Sequence, residues 1–245
     1  PSMGSKPVAA APSKALIKAL RLQLEASLLP GDPATDKRAL DEAAAYLLAA
    51  AATRTPGEAR VQLESAVGER RHLRIAVIND DQPFLVDSVA ATIAAQGVGI
   101  DLLLHPVVAV ERDEDGAITA LGKSGTRESL IYIETPRVDA RQRRELLEAL
   151  ETTLADVHAA VADWQPMQAA MARDAEAAGA LDPETGALLA WLGSGMLTQL
   201  GHLTRRSDGT IVERLGICRT SAGDLLAQIS YERALAWFAE HEQAG

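Results

Sequence analysis

The sequence predicts an α+β fold built on a ferredoxin-like βαββαβ antiparallel sheet, with additional N- and C-terminal helices and a C-terminal β-hairpin. Strand-like runs of β-branched residues and helix-like apolar periodicities follow one another between residues 73 and 163. Turn residues separate them at 79–81, 97–99 and 113–116. The resulting order, strand–helix–strand–strand–helix, is the order in which this topology begins.

Composition narrows the class of protein. The chain has 245 residues, of which 47% are hydrophobic and only 3% aromatic, so we expect a core of alanine, leucine and valine. A formal net charge of −10 disfavours nucleic-acid binding and docking on an anionic membrane. Cys218 is the only cysteine, and no secretion signal or membrane-length apolar run is evident, which favours the cytoplasm.

The first region, residues 1–69, is predicted to be a helical extension. Leucines four residues apart predict a helix over 14–29, which Pro30–Pro33 ends. A second helix is expected over 36–53, before a break at Pro56–Gly57. Val61 and Leu63 alternate with polar residues, which indicates a short strand over 59–65.

The central region, residues 70–175, is predicted to be the ferredoxin-like domain. We expect strands over 73–79 and 100–112, with a helix over 83–96 between them. Pro106 fits the second strand because that strand lies at an edge of such a sheet. A third strand contains Leu130–Ile133, and a long helix follows over 139–163, on the same face as the first helix.

The last region, residues 176–245, is predicted to contain a short helix over 184–192 and a terminal helix over 221–241. Between them, 196–205 and 210–219 are expected to form a hairpin that turns at 207–209. No strand directly follows the long helix, so this hairpin is the candidate for the fourth strand of the sheet. The region therefore either completes the sheet or begins a following domain.

Motifs for catalysis are missing from the sequence. Binding of NAD for hydride transfer uses a glycine-rich turn from a strand into a helix. Gly97–Gly99 instead lies between a helix and a strand, and Gly193–Gly195 lacks the third glycine. The five histidines do not have the spacing of a zinc-enzyme motif. We expect no catalytic residues, no cofactor and no metal in this chain.

The turn formed by Asn79, Asp80 and Asp81 is the strongest candidate for a ligand site. It joins the predicted first strand to the first helix, so its carboxylates would lie beside the N–H groups at the helix N-terminus. A free amino acid could bind there, with its ammonium on Asp80 or Asp81 and its carboxylate on those N–H groups. The alternative is that one aspartate caps the helix while the other is solvated.

His105 is the remaining candidate. It precedes Pro106 and would point from an edge strand, on the face opposite Leu104. A contact with a ligand or with a partner subunit is one interpretation, and a purely structural role is the other.

Several blocks of this sequence resemble the N-terminal region of the large bacterial NAD-specific glutamate dehydrogenases. Their order and spacing also match over residues 74–167. The blocks are Asn79–Val89, His105–Val107, Arg112–Asp113, Glu128–Ser129, Ile131–Glu134 and positions between Asp156 and Met167. A further block around Trp191 and Gly201 is similar, but it has His202 where the family has tyrosine.

The resemblance implies a piece of a much longer enzyme, whose NAD-binding catalytic portion lies beyond residue 245. It also implies ACT-type domains, which are small βαββαβ modules associated with amino-acid sensing and subunit contacts. The expected function is a non-catalytic regulatory and assembly segment of an enzyme that oxidatively deaminates glutamate to 2-oxoglutarate. The expected partners are the rest of that chain, further copies in a homo-oligomer and an amino-acid effector. The alternative is a structural oligomerisation module without a small ligand.

Overall fold

A six-stranded antiparallel sheet is the centre of the first of two units, Pro1–Leu154. The computed structural model describes residues 12–33, 35–67, 71–206, 208–222, 231–233 and 235–237. The strands in them are β1 (Arg60–Val67), β2 (Arg71–Asp80), β3 (Leu102–Leu104), β4 (Val107–Arg112), β5 (Ile118–Gly122) and β6 (Thr126–Pro136). Their order is β1-β2-β6-β4-β5, and β3 also pairs with β6.

Two helices follow strands of this sheet in the predicted order. Helix α3 (Leu85–Ala95) lies between β2 and β3, and α4 (Ala140–Ala162) follows β6. The side chain of Asp139 caps α4 by accepting a hydrogen bond from the N–H of Gln142 at 2.8 Å. An α+β fold with an antiparallel sheet is therefore confirmed.

The predicted second strand is divided into β3 and β4. Both pair with β6, and His105–Pro106 separates them, because proline has no N–H to donate. The predicted turn at 113–116 leads into β5, a strand that was not predicted and that pairs with the outer side of β4. The expectation of an edge position thus holds for the short β3 and is wrong for β4.

The strand beside β2 comes from the N-terminal side of the chain. β1 pairs with β2 along its whole length, from Arg60 opposite Ile78 to Val67 opposite Arg71. The expectation that 196–219 supplies this strand is wrong, because that hairpin forms a separate two-stranded sheet. The boundary expected at residue 70 would separate β1 from the sheet to which it belongs.

Helices α1 (Lys14–Ala26) and α2 (Lys37–Ala51) cover one face of the sheet. Ser13 and Asp36 cap them, and Asp36 Oδ1 accepts a hydrogen bond from the N–H of Ala39 at 2.8 Å. Their apolar side chains share one buried cluster with alternate residues of the strands. The strand residues in that cluster include Ala76, Ile78, Leu104, Leu130 and Tyr132.

The intervening strand residues define the opposite face. Ile75, Val77, Ile131 and Ile133 are fully buried and lie outside that cluster. We place α3 and α4 over them, because both helices bury a stripe of apolar side chains. The hydroxyl oxygens of Thr92 in α3 and Thr153 in α4 are 2.7 Å apart, so these two helices lie side by side.

The second unit, Ala155–Gly245, contains α5 (Trp164–Leu181), α6 (Pro183–Trp191) and a hairpin of β7 (Gly201–Arg205) and β8 (Ile211–Gly216). Helices α5 and α6 approach closely, since a Cβ at Gly186 would lie 2.4 Å from the Cα of Gly179. The terminal helix predicted over 221–241 falls largely outside the described residues. Among the described helices, none combines the length and the apolar character that crossing a bilayer requires.

Candidate functional site

The predicted acidic turn lies where the buried strand β2 ends, just before α3 begins. Asn79 is fully buried, Asp80 is partly buried and Asp81 is exposed. Neither aspartate occupies the N-cap position of α3. The residue at the N-cap position is Phe84, whose φ of 70° is the only positive φ of a described residue other than glycine. Its side chain accepts no hydrogen bond, so the first N–H groups of α3 have no side-chain cap.

Asp80 is held by the segment that follows α2. Its Oδ1 accepts a hydrogen bond from Nη2 of Arg54, and its Oδ2 accepts one from the N–H of Gly57 at 2.8 Å. The Arg54 side chain is only 1% exposed. A carboxylate that already neutralises a buried guanidinium is poorly placed to neutralise a ligand ammonium, so Asp80 acts mainly through Arg54.

Arg54 belongs to a buried ionic network that also contains Arg112 and Glu128. Its Nη2 is 3.1 Å from Oε1 of Glu128, which also accepts a hydrogen bond from Nε of Arg112 at 2.7 Å. Burial alone would lower the pKa of Arg54, but hydrogen bonds to the carboxylates of Asp80 and Glu128 outweigh that effect and raise the pKa. Arg54 therefore stays charged although it is buried.

Asp81 pairs with a different arginine, near the surface. Its Oδ2 accepts a hydrogen bond from Nε of Arg127 at 3.0 Å, and its N–H donates to the carbonyl of Arg127 at 3.0 Å. The Arg127 side chain is 70% exposed, so this ion pair is open to solvent and contributes little to stability. A ligand could displace Arg127 at a small cost.

Asn79 and His105 are brought together by β6. Asn79 lies opposite Ser129 in the β2–β6 register, and Nε2 of His105 lies 2.6 Å from Oγ of Ser129. Burial lowers the pKa of His105, and the negative charge of Asp81 offsets this only in part. At neutral pH the His105 ring is therefore uncharged, and it can either donate or accept at Nε2.

The amide of Asn79 is incompletely satisfied. Its Nδ2 donates to the carbonyl of Asp80 at 3.2 Å, whereas its Oδ1 has no hydrogen-bond partner among the residues that the structure describes. A buried acceptor without a partner is uncommon, because no hydrogen bond offsets the free energy of its desolvation. This oxygen, the uncapped start of α3, Asp81 and His105 form one polar region, which we call the α3 site.

Three of the four residues predicted from the sequence belong to the α3 site, and the fourth, Asp80, belongs to the Arg54 network. The arginine partners of the two aspartates were not predicted. Arg54 and Arg127 lie 26 and 46 residues from the aspartates they bind, and no local pattern links them. The burial of Glu128 had one signal in the sequence. This charged residue lies directly before the apolar run of β6, and a buried charge needs a partner of opposite charge.

The β2–α3 junction does not fit NAD. Residues 81–84 contain no glycine, so the backbone cannot closely approach a pyrophosphate in the way that NAD-binding folds require. The carboxylate of Asp81 would also repel a pyrophosphate at this helix N-terminus. The sheet is antiparallel, whereas the NAD-binding crevice belongs to parallel sheets.

Comparison with known proteins identifies the relatives of this region. Residues 33–150 match the family described as "Glutamate dehydrogenase, ACT1 domain". The NAD-specific glutamate dehydrogenase of Pseudomonas aeruginosa is 34% identical over 133 residues, which are 51% of this chain and 7% of that protein. The NAD-specific glutamate dehydrogenase of Halomonas elongata is 36% identical over 105 residues, which are 40% of this chain and 6% of that protein. The aligned region is thus a small part of each relative.

Proposed function

We propose that this chain is a non-catalytic N-terminal segment of a large NAD-dependent enzyme, because residues 33–150 match the family described as "Glutamate dehydrogenase, ACT1 domain". The parent protein would oxidatively deaminate glutamate to 2-oxoglutarate in the cytoplasm, with NAD bound in another part of its chain. The small share of each relative that the alignments cover supports a segment rather than a whole enzyme. The hairpin β7–β8, which pairs with no strand of the main sheet, supports the view that residues 176–245 begin a following domain.

We propose that this segment regulates the enzyme or its assembly by binding an amino acid at the α3 site. The observation that carries this proposal is the buried Oδ1 of Asn79, which has no partner within the described residues. It can accept a hydrogen bond from the ligand ammonium, and Asp81 supplies a negative charge beside it. The ligand carboxylate would accept hydrogen bonds from the uncapped N–H groups of α3, where the helix dipole favours an anion.

The four candidate residues have different roles in this proposal. Asn79 and Asp81 contact the ammonium, and His105 contacts the ligand through its neutral ring. Asp80 does not contact the ligand, because its carboxylate is occupied by Arg54 and the N–H of Gly57. Asp80 instead fixes the end of β2 and thereby the start of the junction.

A structural module without a ligand is the second candidate function. The observation that favours it is that both aspartates already have an arginine partner, Arg54 for Asp80 and Arg127 for Asp81. In that case the sheet and its two helical layers would organise the homo-oligomer of the enzyme, and the α3 site would hold only water.

Calorimetric titration of the chain with glutamate and other common amino acids distinguishes these functions. If the α3 site binds an amino acid, Asp81→Asn should weaken binding roughly tenfold or more, because it removes a charge-assisted hydrogen bond of about 1.5–3 kcal/mol. The matched control is Glu148→Gln on the exposed side of α4, which should leave binding unchanged.

Two outcomes would count against a regulatory α3 site. If the wild-type chain binds no amino acid at millimolar concentration, the structural module is the better description. If Asp81→Asn binds as tightly as wild type, the ligand lies elsewhere.

A further inference from the structure

The outer strand β1 has one edge that no other described strand covers. β1 stands first in the order of the sheet, and β2 is its only partner among the described strands. The exposed residues along it are Arg60, Gln62, Glu64, Ser65 and Val67. An uncovered edge presents backbone N–H and C=O groups to which a further strand can bind. The side chains beside this edge then decide which strand fits it.

The backbone groups of Val61 and Leu63 point toward the uncovered edge. The hydroxyl of Tyr46 donates to the carbonyl oxygen of Gln62 at 2.8 Å and lies 3.2 Å from the carbonyl oxygen of Arg74. One hydroxyl reaches both oxygens only if both carbonyls point into the gap between β1 and β2. Because these directions alternate along a strand, the N–H and C=O groups of Val61 and Leu63 point away from β2.

Two side chains of opposite charge lie four residues apart on one face of β1. Arg60 lies opposite Ile78 of β2, and Glu64 lies opposite Arg74. The side chain of Arg60 forms no hydrogen bond or ion pair with another described residue. Oε1 of Glu64 is 3.2 Å from Nη2 of Arg74, and a carboxylate can accept several hydrogen bonds. Glu64 can therefore bind a second cation beside Arg74.

A second, antiparallel copy of β1 fits this edge in one register. When Gln62 faces Gln62 of the second copy, Arg60 of each copy lies opposite Glu64 of the other. Val61 and Leu63 then exchange backbone hydrogen bonds across the edge. The two Arg60–Glu64 pairs fall at the positions without such bonds, where opposite side chains come closest.

Other registers lose this match of charges. A register centred on Arg60 or on Glu64 places two like charges opposite each other, which is destabilising. A register centred on Val61 or on Leu63 separates Arg60 from Glu64. The two charges of β1 thus favour the register centred on Gln62.

We propose that two copies of this chain associate through their β1 strands, in the antiparallel register that pairs Arg60 of each copy with Glu64 of the other. The two sheets then form one continuous sheet across a two-fold axis at Gln62. Because the same surface serves both copies, the contact is closed and adds no third copy at this edge. The contact does not involve the α3 site and does not depend on whether that site binds a ligand.

Sedimentation velocity of the 245-residue chain at several concentrations measures the Kd of this dimer. Arg60→Glu should raise the Kd roughly tenfold or more, because both ion pairs across the edge become repulsive. Glu64→Arg should do the same for the opposite charge. Added salt should weaken the wild-type dimer, because these charges are exposed. The matched control is Arg38→Glu, which reverses an exposed charge on α2 and should leave the Kd unchanged.

A mixture of the two variants separates a loss of pairing from damage to the fold. In a mixed dimer, each introduced charge lies opposite a residue of the other sign. Equal amounts of Arg60→Glu and Glu64→Arg should therefore form a heterodimer with a Kd close to that of the wild-type dimer. A variant that had failed to fold could not recover in this way.

Amide hydrogen exchange locates the contact on β1. The N–H groups of Val61 and Leu63 should exchange more slowly in wild type than in Arg60→Glu at the same chain concentration. The N–H of Gln62 points toward β2 and should exchange alike in both proteins.

Three results would overturn the proposal. One is a wild-type chain that stays monomeric up to about 1 mM, which would mean that the charges on β1 only keep the edge unpaired. Another is a mixture of the two variants that remains monomeric where wild type dimerises. The third is equal exchange of the Val61 and Leu63 amides in wild type and Arg60→Glu, which would place any dimer contact on another surface.

Discussion

The guanidinium of Arg112 donates two parallel hydrogen bonds to the carboxylate of Glu128, from Nε to Oε1 at 2.7 Å and from Nη2 to Oε2 at 2.8 Å. Both side chains are almost completely buried, and Arg54 binds the same carboxylate from the α2 side. Glu128 thus links β6 to β4 and to the end of α2 through one charged group.

Removing that charge should strongly destabilise the first unit. Glu128→Gln leaves Arg112 without a counterion and Arg54 with Asp80 alone, and we expect a loss of about 3–5 kcal/mol in the free energy of unfolding. Urea denaturation followed by circular dichroism measures this. The control is Glu145→Gln, which breaks an exposed ion pair with Arg141 and should have little effect. Equal losses for the two variants would contradict the role given to Glu128.

The stability of the chain should depend on pH through His105. Burial lowers its pKa in the folded state below the value of about 6.5 that it has when unfolded. As the pH falls through about 6.5, the unfolded state therefore binds more protons, and the free energy of unfolding decreases. His105→Gln should remove this part of the dependence.

Urea denaturation of wild type and His105→Gln between about pH 5 and pH 8 provides the test, because the other titrating groups are common to both proteins. The difference in unfolding free energy should change with pH only below about 7. A difference that stays constant over the whole range would show that His105 has the same pKa in the folded and in the unfolded protein.

A Cβ at Gly116 should disrupt the junction between α2 and the hairpin. Gly116 has a φ of 77°, and a Cβ there would lie 2.6 Å from the carbonyl oxygen of Arg54. Gly97 has a similar φ of 70°, but a Cβ there would have no neighbour within 4 Å. Gly97→Ala should therefore cost about 1 kcal/mol for backbone strain alone, and Gly116→Ala should cost clearly more. Similar thermal midpoints for the two variants would exclude the close approach.

The left-handed conformation of Phe84 should be costly for any side chain. Glycine adopts a positive φ easily, so Phe84→Gly should be more stable than Phe84→Ala by about 1 kcal/mol, although glycine normally destabilises a helix. Comparison of these two variants by urea denaturation cancels the loss of the aromatic ring. If alanine is the more stable residue, the backbone at this position is not left-handed in solution.

The isolated chain should not reduce NAD in the presence of glutamate. The β2–α3 junction lacks a glycine turn and carries Asp81 where a pyrophosphate would bind. The absorbance of NADH measures the reaction directly. Activity that follows this chain through each purification step would contradict the expectation.

Strands β2 and β6 and helices α3 and α4 were predictable because each has a strong local periodicity and its own end signal. The side chain of Asp139 caps α4 where the sequence predicts its start, and Gly97 ends α3 with a φ of 70°. Strand β5 was missed because its five residues carry no clear alternation. The place of β1 beside β2 was missed because strand order depends on distant pairing, which a local pattern does not contain.

The candidate site was predictable in its position but not in its electrostatics. The turn residues Asn79–Asp81 lie at the junction that the sequence indicates, and Asn79 is buried there. Their arginine partners come from β6 and from the segment after α2, so only the tertiary structure shows that both aspartates are already paired.

The position of β1 determines where this chain can be truncated without exposing the edge of β2. A fragment that starts at residue 70 would leave the ten-residue strand β2 at the edge of the sheet, paired only with β6 and with an apolar centre at Ile75–Ile78. Such an edge can recruit strands from other molecules and lead to aggregation. β1 prevents this, because it covers β2 and presents Arg60, Gln62 and Glu64 along the outer edge instead. β1 therefore has a protective role, and soluble expression of the sheet requires a fragment that begins before residue 60.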